Sequence, residues 1–451
     1  MLRLVYLGLV LLAATPAWSQ LQVTPFETPE TPADESRMKT PPPVSAQAYP
    51  AIVGSQMRSN FLGAGLIFTT AYNDNVTTDG TNPVGDVVYS ILPTISLDQT
   101  TPRQHMSLIY SPGFTFYQKT TSLNAGAQSA AFSFQYRLSE HTTISLSDSF
   151  QKSSNVFNQL YPVAGAGISG STQAPSGQVV VPYADQLNNL ANVGFSYQFS
   201  RNRMVGADAV FTLSNYSNPA QAPGLYNSNG PGGSIFYSQR LSSRQYIGVT
   251  YQYLRSEADP VLAQTNPVNA STEAQTQTVL PFYTIYLNPT LSISISGGPQ
   301  YYDATQSPSP AVRAWTPAAM ASIGWQKRHT NLVASYARTV AGSVGLPGAF
   351  ETNTTNAAAR WQIARTWNTG VSGSYFTNTS LTPSFTPSNP GGHSISGTVS
   401  VQHSMGEHFR AELGYSRLHQ SYSGIAAISN VPDSNREYIS VSYQFSRPLG
   451  R

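Results

Sequence analysis

The chain predicts an all-β fold, a transmembrane, antiparallel, up-and-down β-barrel of about 18 strands within a range of roughly 16 to 20. Three observations carry that expectation. Only 10% of the 451 residues are charged while 40% are hydrophobic and 11% aromatic, whereas a soluble domain carries about 25% charged residues. From Ser59 onward, segments of about 10 to 15 residues alternate apolar with small polar positions, and short and long connections separate them in turn, as in membrane barrels. Beyond the N-terminus no apolar run is long enough for a membrane helix, and a closed barrel is the other structure that satisfies every backbone group in lipid.

The segments before the barrel are of other kinds. Met1 to Ser19 reads as a secretory signal, residues 1–19: Arg3 opens it, Leu4 to Ala14 form a short apolar core, and Ala17-Trp18-Ser19 is a small-residue cleavage site. Residues 20–57 hold Pro25, Pro29, Pro32, Pro41, Pro42, Pro43 and Pro50 among polar residues. Such a stretch is expected to be a disordered periplasmic arm, because it has too little apolar surface to bury. The barrel is expected over 58–447, with a periplasmic tail at 448–451.

Eight short connections set the strand count. They are Thr100-Thr101-Pro102-Arg103, Ser139-Glu140-His141, Ser200-Arg201-Asn202-Arg203, Ser242-Ser243-Arg244, Asn288-Pro289, Lys327-Arg328-His329, Arg365-Thr366-Trp367-Asn368 and Met405-Gly406-Glu407-His408. Each is flanked by two strands. A first strand near Ser59 to Asn73 and a closing strand at Arg436 to Phe445 complete the set, and an even number places both ends on the periplasmic side.

Alternation then assigns the faces. In the closing strand Ile439, Val441, Tyr443 and Phe445 oppose Tyr438, Ser440, Ser442 and Gln444. Phe195-Ser196-Tyr197-Gln198-Phe199-Ser200-Arg201 recurs as Val441-Ser442-Tyr443-Gln444-Phe445-Ser446-Arg447. These repeats place Tyr136, Tyr197, Phe199, Trp325, Trp361, Trp367, Tyr443 and Phe445 in an aromatic girdle at the periplasmic interface, followed by basic residues that meet anionic headgroups. Pro93, Pro112, Pro281, Pro299 and Pro317 fall inside strands, where bulges or early strand ends are expected. Asp148 shares parity with lipid-facing residues and is tolerable only where its strand has left the bilayer.

Little in the chain suggests chemistry. Hydrolase elbows, zinc-protease motifs and phosphate loops are absent, the chain has no cysteine, and its seven histidines are scattered in sequence. No catalysis, cofactor or metal is expected, and a net charge of +3 implies no nucleic-acid partner. Candidate lumen charges are Asp208, Arg240, Arg360, Arg410 and Glu412, whose mixed signs imply weak ionic selectivity. The longest connection, Ser153 to Asp185, is the candidate constriction.

The closing strand resembles the sorting signal of bacterial outer-membrane barrels, with Ser446 to Arg451 as an added tail. With Tyr72-Asn73-Asp74-Asn75-Val76 at the end of the first strand, the chain from Ser59 to Phe445 resembles the porin-type barrels of Gram-negative bacteria that accompany exopolysaccharide or exosortase systems. The resemblance implies the bacterial outer membrane, with outer-membrane lipid and the barrel-assembly machinery as partners. The expected function is a porin-like channel for small hydrophilic solutes or for polysaccharide export. The alternative is a structural or adhesive barrel with a blocked lumen, acting through its loops or its periplasmic arm.

Overall fold

The computed structural model describes residues 60–77, 82–153, 185–218, 221–222, 224–261, 271–288, 290–306, 309–327, 329–342, 345–381, 391–423 and 433–448. The signal, the proline-rich arm and most of the Ser153–Asp185 connection lie outside them. The strands are β1 Asn60–Asn73, β2 Asp86–Thr100, β3 Gln104–Tyr117, β4 Ala125–Arg137, β5 Thr142–Ser153 and β6 Gln186–Ser200. They continue as β7 Arg203–Tyr216, β8 Tyr226–Ser242, β9 Gln245–Pro260, β10 Thr272–Asn288, β11 Leu291–Gln306 and β12 Ser309–Gln326. The last six are β13 Thr330–Gly342, β14 Ala349–Ala364, β15 Trp367–Ser380, β16 Gly391–Met405, β17 Phe409–Ser423 and β18 Asp433–Pro448.

Each strand pairs antiparallel with the next, and β18 returns to β1 in a register running from Phe61↔Pro448 to Asn73↔Arg436. The sheet is therefore a closed 18-stranded barrel. The eight short turns all lie at one end, and the connections at the other are longer except that between β11 and β12, which is two residues. The closing strand starts earlier and ends later than its alternation indicated, because β17 offers it partners back to Asp433 and β1 partners out to Pro448.

The two faces invert the usual distribution. Leu66, Phe68, Phe195, Ile247, Val399 and Ile439 are exposed on the outside. Ser90, Thr250, Thr276, Ser294, Asn378 and Gln420 are buried on the inside. Such a surface is stable only where the outside meets something apolar.

The Tyr72–Val76 segment has a structural part at the closure. Asp74 accepts hydrogen bonds from the backbone N–H of Asn435 at 2.7 Å and from its side-chain amide at 2.6 Å. Asn73 Oδ1 accepts one from Ser434 Oγ at 2.8 Å, and Asn75 Nδ2 donates to the Asp433 carbonyl at 3.0 Å. Together they staple β1 to β18 above the last ladder pair.

The prolines do not make bulges or end strands. The register shifts fall beside connections, as at Gln198/Ser200, Tyr286/Asn288 and Gln362/Ala364, while strands run straight through the prolines. What fails is the ladder beside them. The β2–β3 pairing stops at Ile95↔Tyr110 and resumes at Ile91↔Phe114. Pro93 and Pro112 face each other in that gap, and neither has an N–H to give. The β10–β11 ladder breaks in the same way between Thr278↔Gln300 and Phe282↔Ser296, where Pro281 and Pro299 sit. Asp148 is half-buried and accepts a hydrogen bond from Asn189 Nδ2 at 2.9 Å, which meets part of its polar demand on the outer face.

Candidate functional site: the lumen and its outer mouth

The inner wall is built from hydroxyls and amides that pair across strands. Thr284 and Ser294 oxygens lie 2.8 Å apart, Ser374 and Ser396 2.6 Å, and Thr398 and Ser416 3.0 Å. The hydrogen bonds bring each side chain close to the wall and leave the lumen lined by neutral polar groups.

The five candidate lumen charges do not form one ring. Asp208 on β7 is part-buried and accepts a long 3.4 Å hydrogen bond from Ser234 Oγ. Arg240 is buried near the short-turn end, where its Nε donates to Asn202 Oδ1 at 3.1 Å. Arg360, Arg410 and Glu412 come together from β14 and β17, near enough for Arg360 to feel both of the others. Arg360 donates to Gln402 Oε1 at 3.2 Å, and Glu412 accepts from the Tyr438 hydroxyl at 2.7 Å. The arginines nearer the long-loop end differ: Arg255, Arg313, Arg338 and Arg417 each hold a carboxylate within 4.0 Å. The lumen pair on this wall thus leaves positive charge in excess.

Among the described residues, the connection that enters the lumen is β13–β14. The β12–β13 ladder runs from Gln326↔Asn331 to Ala319↔Arg338 and ends there, although both strands continue. Above that point β13 stays paired to β14 out to Gly342↔Ala349, and the two lean inward together. Gly342 comes against the Ser256 side chain on β9. Tyr226 at the start of β8 donates its N–H to the Gly345 carbonyl at 3.2 Å. The Gly348 N–H donates to Thr272 Oγ1 on β10 at 2.9 Å. Gly345 and Gly348 have φ of 88° and 94°, a conformation that side chains other than glycine's rarely allow.

The tip of this hairpin crosses the mouth. Leu346 and Phe350 are fully buried in one apolar cluster with Tyr216 at the end of β7, Ala222 and Leu225 in the next connection, and Tyr422 near the end of β17. β7 and β17 lie on opposite sides of an 18-stranded ring, so the cluster spans the outer opening.

The eight girdle aromatics all lie near the short-turn ends of their strands. Tyr197, Phe199, Trp361, Trp367, Tyr443 and Phe445 are exposed to the outside, and Tyr136 and Trp325 are half-buried. Phe132, Phe134 and Tyr136 stack in a row, Trp367 stacks on His403 with centroids 4.3 Å apart, and Lys327 Nζ lies 5.3 Å from the Trp325 ring.

No protein-family model and no characterised relative matches the chain. Solved structures are similar to it over most of its length. OccAB4 of Acinetobacter baumannii aligns at TM-score 0.39 with 9% identity, over 87% of this chain and 99% of that one. OpdK of Pseudomonas aeruginosa aligns at 0.40 with 11% identity, over 86% and 99%. The FrpB iron transporter of Neisseria meningitidis aligns at 0.42 with 10% identity, over 88% and 86%. Likenesses at this level carry no argument about what this barrel passes.

Two features of the site escape a reading of the sequence. The Gly342–Thr352 stretch is unremarkable beside the longer loops, and only its glycines at 345 and 348 mark a tight inward turn. His393 and His419, scattered in sequence, meet across β16 and β17 with ring centroids 5.5 Å apart, and His419 Nδ1 lies 2.7 Å from Asp433.

Proposed function

We propose that this barrel sits in the bacterial outer membrane and passes small hydrophilic solutes, with the β13–β14 hairpin as its constriction. The observation that carries the reading is the inverted surface: an apolar, aromatic outside around a lumen of hydroxyls and amides. An apolar belt of this kind matches a bilayer, and strands of 12 to 18 residues exceed the roughly 9 to 11 that crossing requires, so their ends project beyond the lipid. Outer-membrane lipid is then the surrounding partner, and the barrel-assembly machinery the one that inserts the chain. No catalytic step is assigned to it. Nothing in the geometry favours polysaccharide export, since a hairpin across the mouth suits small solutes better than a polymer.

The test is single-channel conductance of the full-length mature protein refolded into a planar bilayer. Steady ohmic steps are expected, with a preference for anions set by Arg360 and Arg410. The double variant Arg360→Gln/Arg410→Gln should move the reversal potential towards cations. Silence from protein shown to be folded and inserted would overturn the reading and leave the blocked structural barrel in its place.

A further inference from the structure

The β12–β13 ladder ends at a definable atom. At the turn, Lys327 and Thr330 exchange both backbone hydrogen bonds, at 2.7 and 3.3 Å. In an antiparallel ladder such doubly bonded pairs recur at every second step. The observed register, in which Ala319 faces Arg338, makes Ala319/Arg338 one of them and would make Pro317/Val340 the next. Pro317 has no N–H, so the bond to the Val340 carbonyl cannot form there. A buried carbonyl without a donor is costly.

Val340 is nonetheless fully satisfied, by a side chain from one strand further on. Gln300 on β11 donates its Nε2 to the Val340 carbonyl at 2.7 Å, and its Oε1 accepts the Val340 N–H at 2.7 Å. The amide supplies the donor that Pro317 lacks and also the acceptor that Pro317 would have offered. Gln300 is only 2% exposed and Val340 1%, so water does not compete for either group. Reaching Gln300 takes β13 off β12 and across the inner face of β11, where Val340 packs against Ala274, Tyr302 and Ala304.

We propose that Gln300 is the residue that sets the aperture of the outer mouth, by standing in for β12 as the backbone partner of β13 and so holding the β13–β14 hairpin in the lumen. The alternative position is already built. Among the described residues, β12 from Ser309 to Ala318 pairs only with β11, and it offers β13 a ladder lacking one bond. Without the amide, the wall position gains against the inward one, the mouth cluster comes apart, and the size limit for solutes rises. The proposal rests on the channel reading for its consequence, but the position of the hairpin can be measured without any conduction.

The native chain has no cysteine, so Ala222→Cys gives a single reporter. Ala222 is fully buried beneath the hairpin, on the opposite wall. Labelling by a maleimide-polyethylene glycol reagent is followed in the full-length protein in liposomes, with and without Gln300→Ala. Labelling at least tenfold faster in the Gln300→Ala background is expected, together with larger conductance steps. Gln300→Leu, which keeps the bulk and removes both hydrogen-bonding groups, serves where the alanine variant does not fold, and should behave alike. Unchanged labelling in both variants would overturn the proposal while leaving a conducting native barrel as a channel. Faster labelling from a barrel that is silent in every form would support the clasp and overturn the channel reading.

Discussion

Pro93 and Pro112 on one wall, and Pro317 on the far wall, remove ladder donors about midway along their strands, yet the consequences diverge. Between β2 and β3 the gap heals: Thr94 and Ser111 hydroxyls meet across it at 2.8 Å, and pairing resumes at Ile91↔Phe114. Between β12 and β13 it never heals, and β13 departs with β14. The first gap lacks both donors of its pair and the second only one, yet it is the second that stays open. What differs is where the substitute partner sits, and what holds the strands together beyond the gap. In the first case the substitute is on the adjacent strand and a polar knot closes the top. In the second it is two strands away and draws the chain inward.

The strongest way to break this contrast is to give the second gap its donor. Pro317→Val restores an N–H opposite the Val340 carbonyl and lets the ladder continue past Ala319↔Arg338. Two states of the hairpin then compete on more equal terms, and a net hydrogen bond of about 1 kcal/mol corresponds to a several-fold change in their ratio. In the bilayer, larger or longer-lived open steps are expected, and combining the change with Gln300→Ala should give the largest conductance of the series. Unaltered steps in the combined variant would mean that the proline and the glutamine do not decide the position of β13.

Much of this barrel was legible in the sequence, for a physical reason. Alternation over ten or more residues and a turn at every second strand end are local properties, so the strand count, the short turns and the outward placement of Phe195, Tyr197, Tyr443 and Phe445 could be read from spacing alone. The prolines were visible too, but their effect was not. Whether a missing N–H produces a bulge, a gap or a departure depends on which neighbour can replace it, and Gln300 lies 40 residues from Val340. The lumen charges show the same limit. Parity placed Arg360, Arg410 and Glu412 on the inner face, while their meeting depends on strand order around the ring. The Ser153–Asp185 connection, expected as a constriction for its length, lies mostly outside the described residues, and the described hairpin at the mouth is short.

A smaller effect tests what closes the first gap from above. The Asp86 carboxylate, at the rim where β2 begins, accepts hydrogen bonds from the N–H groups of Val87, Lys119 and Thr120 and from the Thr120 hydroxyl. Burial works to raise this carboxyl, but the hydrogen bonds outweigh it and hold it below the ordinary carboxylate range. A depressed folded-state value means that the ionised form stabilises the fold. That contribution is fully present above the unfolded carboxylate's value near 3.8 and is lost as pH falls through the lower folded value. Hydrogen exchange at Gln118 to Thr120 should therefore accelerate at acid pH below that point in the native chain. Asp86→Asn, whose amide accepts less well and does not ionise, should show faster exchange already at neutral pH and no further acid step of this origin. An acid step that persists in the variant would assign the rim's pH response to another group.

The smallest effect belongs to the gap itself. Pro112→Val returns one N–H to a place where the adjacent strand offers the Pro93 carbonyl, so one ladder bond can form. The gain is about 0.5–1.5 kcal/mol at most, offset by the greater conformational freedom of the unfolded chain once the proline is gone. The two terms are of similar size and opposite sign, so the urea midpoint for unfolding from liposomes should barely move and conductance should not move at all. That null result carries information because Pro317→Val makes the same chemical change on the far wall. If Pro112→Val altered the steps as strongly, proline gaps in general would govern this lumen, and the special place given to Gln300 would be lost.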